Sequence, residues 1–449
     1  MSTAGPTPAE ERGVLERWFR LRENGTTVRT EVIAGLTTFM TMAYIIFVNP
    51  AIVSNAGMPF DGVLVATVIA SAVATLLMAF LANYPFALAP GMGLNAYFAF
   101  SIVLDRGIPW ETALGAVFIS GIVFVLLTLT RVRETLIAAV PAGLKVAISA
   151  GIGLFIAFIG MQNAGLIVDN PATLVGLGDL TQPGPLLALA GTVLTAGLFA
   201  LQVKGAILWG ILATAAAAVA LGMAPPPGSV VELPRFAVWQ SVFGKLDVMA
   251  ALQLGLLEIV VAFLFVDLFD TLGTLVGVST RAGFLDPQGR LPRAQKALLA
   301  DALGTMAGAV AGTPTVTTYI ESASGVSAGG RTGLVGVVVA GAFLLSLFFA
   351  PVVRMVADVP AATAPALIVV GALMMQSVTR IEWDDFSEAL PAFMTVLGMP
   401  LTYSIATGIA LGFISYPVVK IIAGKGKQVH WLVYVLAVLF ALRFALLTE

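Results

Sequence analysis

Two carboxylates three positions apart, Asp267 and Asp270, stand in the stretch FLFVDLFDTLGT (263–274), whose other residues are almost all apolar. A third acid, Glu321, lies in GTPTVTTYIESASGVSAGG (312–330), and an amide, Asn95, lies in FALAPGMGLNAYFAF (86–100). Together these groups offer hydrogen bonding to a polar ligand combined with proton exchange. An ionised carboxylate only accepts, whereas an amide both accepts and donates. A carboxylate in a low-dielectric setting also keeps its proton to higher pH. The rest of the inventory removes other chemistries. There is no cysteine, hence no disulfide framework, thiolate metal site or thiol nucleophile. His430 is the only histidine, so a histidine-rich metal site is excluded as well, and no metal or cofactor is expected. A formal net charge of −2 offers nothing to a nucleic acid.

The elements that hold these residues follow from composition. Of 449 residues, 59% are hydrophobic and 11% charged, against about a quarter charged in soluble domains. With a mean hydropathy of +0.98, the chain reads as an all-α polytopic protein embedded in a lipid bilayer. Apolar runs of a length that crosses about 30 Å of hydrocarbon as a helix recur from Val32 to Leu447. Their continuity excludes a β-barrel, whose strands alternate. Candidate spans fall near 32–53, 62–82, 86–103, 113–130, 139–161, 184–201 and 204–222. A second set falls near 251–277, 296–311, 317–328, 332–357, 361–378, 387–400 and 402–421. This predicts a polar N-terminal segment (1–30), a seven-span repeat (31–222), an extramembrane linker (223–250), a second seven-span repeat (251–421) and a C-terminal hydrophobic helix (422–449). The first thirty residues lack the apolar core of a cleavable signal, so the N-terminus is expected in the cytoplasm.

Each half contains one Pro/Gly-interrupted polar span, the third and the tenth, and each ends with two spans joined by a tight hinge. Seven is odd, so the second half enters the membrane the other way up, giving a 7+7 inverted repeat. Paired broken segments mark the midplane site of such carriers. Irregular backbone at membrane depth survives only where protein or a cavity surrounds it. The β-branched run Thr315–Thr318 favours a short extended piece able to pair with its counterpart in the other half. Helices are then expected to start near Asn95 and near Glu321, at matching places. Lys and Arg gather in one set of loops (Arg131 and Arg133, Lys204, Arg281 to Lys296, Arg331, Arg380, Lys420 to Lys427), as the positive-inside rule asks of the cytoplasmic face. The last run, 429–447, interrupted by Arg443, is expected to lie against the cytoplasmic side, with a further crossing as the alternative.

The stretches APGMGLNAYFAF, FVDLFDTLGTLVG, GTPTVTTYIESASGVSAGGRTGL and ALPAFMTVLGMPLTYSIATGIALGFISY resemble the signatures of the AzgA-like adenine/guanine/hypoxanthine permeases, a branch of the nucleobase-ascorbate transporters. The resemblance runs from about Arg29 to Lys420. It implies a core domain (spans 1–4 and 8–11), a gate domain (5–7 and 12–14), an elevator-type movement between them and a homodimer. It also implies proton-coupled uptake of purine nucleobases across the cell membrane, without enzymatic activity. The substrate set it implies is Asn95, Asp267, Asp270 and Glu321, with Thr318 and Ser322 beside the last. On chemical grounds Glu321 is expected to contact the purine, Asp267 to carry the proton with Glu321 as the second candidate, and Asp270 to orient Asp267 or share its hydrogen bonds.

Each residue has a plainer reading. An intramembrane acid can be a structural hydrogen-bonding group, although at this depth function is the default. Asn95 can be an ordinary helix cap. Tyr97 and Tyr319 can stack on a ring or simply pack. Glu258 and Lys145, also within spans, are left out of the site. Two other functional classes compete. GLGD at 176–179 resembles a motif of intramembrane aspartyl proteases, yet Asp179 falls in a polar loop and no second acid pairs with it. A channel or anion exchanger on the same scaffold remains, because fold alone does not fix function. An anion site would want a cation where this chain presents acids.

Overall fold

The computed structural model describes residues 13–130, 140–253, 257–286 and 290–446. Arg131, Arg133 and the side chains of Glu258 and Arg443 lie outside the described residues. The helices follow the apolar runs: α1 (Val28–Ala56), α2 (Phe60–Ala82), α3 (Met92–Asp105), α4 (Trp110–Leu129), α5 (Ala142–Asn163), α6 (Pro183–Ala200) and α7 (Ala206–Ala220). The second half gives α8 (Leu257–Ala282), α9 (Ala294–Ala311), α10 (Ser322–Ser327), α11 (Leu334–Ala357), α12 (Pro360–Arg380), α13 (Phe386–Leu401) and α14 (Ile405–Ile422), followed by α15 (Trp431–Leu446). Among the described residues nine helices are long and apolar enough to cross a membrane. Helices α3, α7 and α13 are apolar but shorter.

Four short strands complete the set: β1 (Leu88–Pro90), β2 (Ile167–Asn170), β3 (Leu174–Leu177) and β4 (Val316–Thr318). β2 and β3 form an exposed hairpin. β1 and β4 pair antiparallel across the two halves, with Leu88 opposite Thr318 and Pro90 opposite Val316. The extended piece expected at Thr315–Thr318 is therefore present, and its partner is the other broken segment. Such pairing, helped by neighbouring hydroxyls, satisfies backbone groups that a helix no longer serves.

Helix packing repeats between the halves. Adding seven to each helix number (and subtracting it in the second half) turns the α1–α11 contact into α8–α4, and the α2–α11 contact into α9–α4. The same operation turns α5–α13 into α12–α6, α7–α12 into α14–α5, and α6–α7 into α13–α14. The α2–α9 and α5–α12 contacts map onto themselves. The most extensive of these contacts fall within α1–α4 and α8–α11 or within α5–α7 and α12–α14, with lighter contacts between the two sets. Small residues permit the close crossings, as is usual in lipid. A Cβ on Gly153 of α5 would lie 2.8 Å from the carbonyl oxygen of Gly371 in α12, and one on Gly304 of α9 would lie 2.8 Å from the Cβ of Ala74 in α2.

Both ends of the first group are laced. At one end the linker folds over it: Trp239 Nε1 donates to Ala311 O (2.7 Å), Gly244 N to Val310 O (2.8 Å) and Asp247 N to Glu111 O (2.8 Å). Arg354 there pairs with Asp61 at 2.7 Å and with Glu232 at 3.3 Å. At the other end the buried carboxylate of Glu31 accepts from Thr26 Oγ1, Arg331 N, Thr332 N and Thr332 Oγ1. Two placements differ from the sequence reading. The α3 helix starts at Met92 with Gly91 as its cap, so Asn95 lies a turn inside the helix, whereas Glu321 is itself the cap residue of α10. Gly91 ends the extended piece, its N–H held by Thr315 O, and its carbonyl already accepts the first helical bond from Asn95 N, so the helix begins directly after it. The final apolar run does not lie only at the end of the fold: α15 turns back along α14, with Tyr434 Oη donating to Gly426 O and Phe440 against Phe413. Two continuous apolar faces are buried that way.

Candidate functional site

The junction of the two broken spans is held by backbone and hydroxyl groups. Gly91 N donates to Thr315 O (2.9 Å) and Tyr319 N to Ala87 O (3.0 Å), extending the β1–β4 ladder in both directions. Tyr319 Oη donates to Pro90 O (2.5 Å), the carbonyl of a residue that interrupts its own span. Ser322 Oγ accepts from Ala87 N (3.0 Å), and Thr75 Oγ1 both donates to Leu88 O and accepts from Leu88 N. The two segments form one rigid piece inside the first helix group.

The acids surround that piece. Asp267, buried on α8, has Oδ2 3.1 Å from Thr305 Oγ1, whose one proton is shared between it and Val316 O at 2.8 Å, while its Oδ1 is buried without a hydrogen-bond partner. Asp270, one turn on, accepts from Thr317 Oγ1 at 3.4 Å, and Thr317 Oγ1 is 2.9 Å from Thr271 Oγ1. Asp267 and Asp270 lie within electrostatic reach of one another but take different hydroxyl partners. Glu321 accepts from Tyr44 Oη at 2.5 Å and lies within electrostatic reach of Asp270. The structure thus gathers Asp267, Asp270 and Glu321. Asn95 belongs to a second buried polar chain: its Nδ2 donates to Asn49 Oδ1 (2.5 Å), and its Oδ1 is buried with no hydrogen bond. The plain capping role for Asn95 is removed, since Gly91 caps the helix.

Thr318 Oγ1 donates to Asp301 Oδ1 (3.0 Å), so its hydroxyl is engaged with α9. Asp301 is the residue that the sequence reading missed. It is wholly buried, accepts from Thr271 Oγ1 through Oδ2 (2.9 Å), and neighbours Asp267 electrostatically. A lone acid in the otherwise apolar run ALLADALGTMAGAVA was the available signal. Asn49, buried in α1, and Tyr44 were missed too, because neither breaks its span. Tyr97 packs edge-on against Phe263. Lys145 is half-buried on α5, outside the acid cluster. Asp179 is exposed in the loop before α6, accepting from the Thr181 hydroxyl and N–H and from Gln182, and these bonds, the hydroxyl's first, hold its carboxyl below the usual range. It has no role in a buried acid pair. His430 Nδ1 accepts from Leu432 N at the start of α15.

Residues 29–411 match the family model described as Permease family (Xan_ur_permease). A putative permease of Methanocaldococcus jannaschii is 58% identical over 434 residues, covering 97% of this chain and 99% of its own. The guanine/hypoxanthine permease PbuO of Bacillus subtilis is 48% identical, covering 96% of this chain and all of its own. The adenine permease AdeP of Escherichia coli is 46% identical, covering 99% and 98%. Among solved structures, the transmembrane domain of the cyanobacterial bicarbonate transporter BicA superposes with a TM-score of 0.64 at 15% identity, covering 84% of this chain and 97% of that one. That likeness establishes the fold, with its two related halves.

Proposed function

This chain belongs to the Permease family, and from that premise we propose that it is a secondary active transporter taking up a purine nucleobase (adenine, guanine or hypoxanthine) together with a proton. The observation that carries the reading is the convergence of Asp267, Asp270 and Glu321 on the junction of two broken spans. A purine presents N–H groups, and this junction presents acceptors. In the proposed site Glu321, set by Tyr44, contacts the ring, and Asp267, with one free oxygen, loads the proton. Asp270 and Asp301, joined to one another by the Thr271–Thr317 pair, act on Asp267 through their charge. Thr318 and Ser322, committed to Asp301 and to Ala87 N, keep the frame of the site. Neighbouring buried carboxylates cannot all stay ionised cheaply. One proton distributed among them is a natural load for a coupled carrier.

The two helix groups support a core that carries the site and a gate beside it, moving past one another as an elevator. The homodimer and the cell-membrane location expected from the sequence belong to the same proposal. Orientation is supported by charge: Arg17, Arg20, Arg22, Arg29, Arg293 and Arg331 gather at the end where Phe19 O meets Asn83, which the positive-inside rule places in the cytoplasm. An anion exchanger is the second reading, because the superposed fold belongs to a bicarbonate transporter. The acids at the junction argue against it. The test is uptake of radiolabelled hypoxanthine, guanine and adenine by the reconstituted protein, with and without a proton uncoupler. Concentrative uptake abolished by the uncoupler is expected. Absence of uptake for all three, alongside bicarbonate or chloride exchange, would overturn the proposal.

A further inference from the structure

Asn49, Thr67, Thr313 and Asn95 are all fully buried and come from four separate places: α1, α2, the turn before β4, and α3. Their hydrogen bonds form a chain whose direction is fixed at one end. Thr67 Oγ1 donates its only proton to Val63 O (2.7 Å), and a carbonyl can only accept. The oxygen of Thr67 is then left as an acceptor, which Asn49 Nδ2 meets at 2.7 Å, with a second contact to Thr313 Oγ1 at 2.9 Å. With its NH2 committed to two threonines, Asn49 turns its Oδ1 to Asn95, and the atom of Asn95 that faces it must be the donor Nδ2. What remains of Asn95 is the second N–H of Nδ2, on the side of the group that already meets Asn49, and Oδ1, which is buried and without a hydrogen bond.

We infer that Asn49 is a positioning residue that fixes the Asn95 amide with its carbonyl oxygen as the ligand-facing acceptor, so that this position recognises an N–H of the bound nucleobase. The inference rests on the purine reading above and deepens it. It makes Asn95 an acceptor like the acids, so the site as a whole discriminates in favour of rings rich in N–H donors. An asparagine free to flip would serve either polarity and give no such selection. Asn49 removes that freedom without touching the ligand.

The test uses the full-length protein purified in detergent, with binding of radiolabelled hypoxanthine, guanine and adenine as readout. Asn49→Leu and Asn95→Leu should each weaken binding about tenfold or more, the scale of leaving a buried polar group unpaired, and the double variant should be little worse than either single one. Asn49→Asp should recover part of what Asn49→Leu loses, because an aspartate oxygen still accepts from Asn95 Nδ2 and Thr313 Oγ1 can donate to the other, while Thr67 keeps its proton on Val63 O. Asn95→Asp should also recover part of the loss in its protonated form, whose O–H takes over the donation to Asn49 Oδ1 while the other oxygen still faces the ligand as an acceptor. A chain running the other way would offer the ligand an N–H, and both aspartate variants would then bind as poorly as the leucine variants. That result overturns the inference alone, as would additive losses in the double variant. If the leucine variants fail to fold, the two aspartate variants decide the matter by comparison with wild type. A wild-type protein that binds none of the three purines overturns the nucleobase reading and this inference together.

Discussion

Replacing Asp267 by asparagine separates carrying a purine from driving it uphill. The structure makes the substitution gentle. An Asn amide can meet Thr305 Oγ1, 3.1 Å from Asp267 Oδ2, either with Oδ1 as acceptor or with its NH2 as donor while that hydroxyl serves Val316 O, and its other end falls where Asp267 Oδ1 has no partner. The variant therefore imitates the proton-loaded carboxyl in shape and charge. A gradient of one pH unit is worth about 1.36 kcal/mol per proton, which at one proton per purine sustains an accumulation ratio of about tenfold. With the linked group fixed in one state, the ion can no longer bias the two access states, and the ratio should fall to about one. Counterflow, which needs no net proton movement, should persist. The assay is radiolabelled hypoxanthine accumulation in proteoliposomes under an imposed one-unit gradient, with counterflow measured on the same preparation. An Asp267→Asn carrier that still reaches about tenfold would refute the assignment and move the proton to Glu321 or Asp270.

Glu321→Gln keeps the shape but removes the charged acceptor held by Tyr44 Oη. Purine affinity should fall roughly ten- to a hundredfold, matching a charged buried hydrogen bond, and unchanged affinity in equilibrium binding would remove Glu321 from the contact set. Gly308→Ala would put a Cβ 2.8 Å from Val316 Cγ2 and 3.0 Å from Pro314 O. The resulting overpacking under β4 should cost about 1–3 kcal/mol, read as a lowered thermal midpoint in detergent; an unchanged midpoint would show that the turn yields freely. At the start of α13, the Lys425 ammonium, with the hydroxyl and N–H of Ser387, holds the Asp385 carboxyl well below the usual carboxylate range. A depressed folded value means that the stabilisation is complete above the ordinary aspartate value of about 4 and fades as the pH falls below it. The difference in thermal midpoint between wild type and Asp385→Asn should accordingly stay level from pH 5 to 8 and shrink in more acid solution. A difference that changes between pH 5 and 8 would contradict this.

The spans were legible because apolar runs of membrane length have few other uses, and the two broken ones because Pro90 and Pro314 sit among glycines where a helix cannot continue. The acids at 267, 270 and 321 stood out because charge is costly in their surroundings. What stayed hidden depends on distant partners. Asp301 lies in an alanine-rich run with no breaker, and its donors Thr271 and Thr318 are 30 and 17 positions away. Asn49 gains its meaning only once Thr67, Thr313 and Asn95 are brought to it by three other elements. The start of α3 was misplaced by a turn because a glycine cap leaves no polar side chain to read. The path of α15 back along α14 depends on packing that an apolar run does not encode.

The β1–β4 ladder also bears on how such a chain could have arisen. Each strand completes the other's backbone hydrogen bonding, so a protein of half the length would expose unpaired peptide groups inside the bilayer unless a second copy supplied the missing strand. Because the two strands run antiparallel, that copy would have to be inserted the other way up. An ancestral half would thus need to adopt both orientations in one membrane, which a weak bias of Lys and Arg between its two faces would permit. Joining two copies in one reading frame fixes the pair in opposite orientations only when each carries an odd number of crossings. Seven helices per half, if each crosses the bilayer, would meet that condition, and the linker would then have only to return the chain along one face.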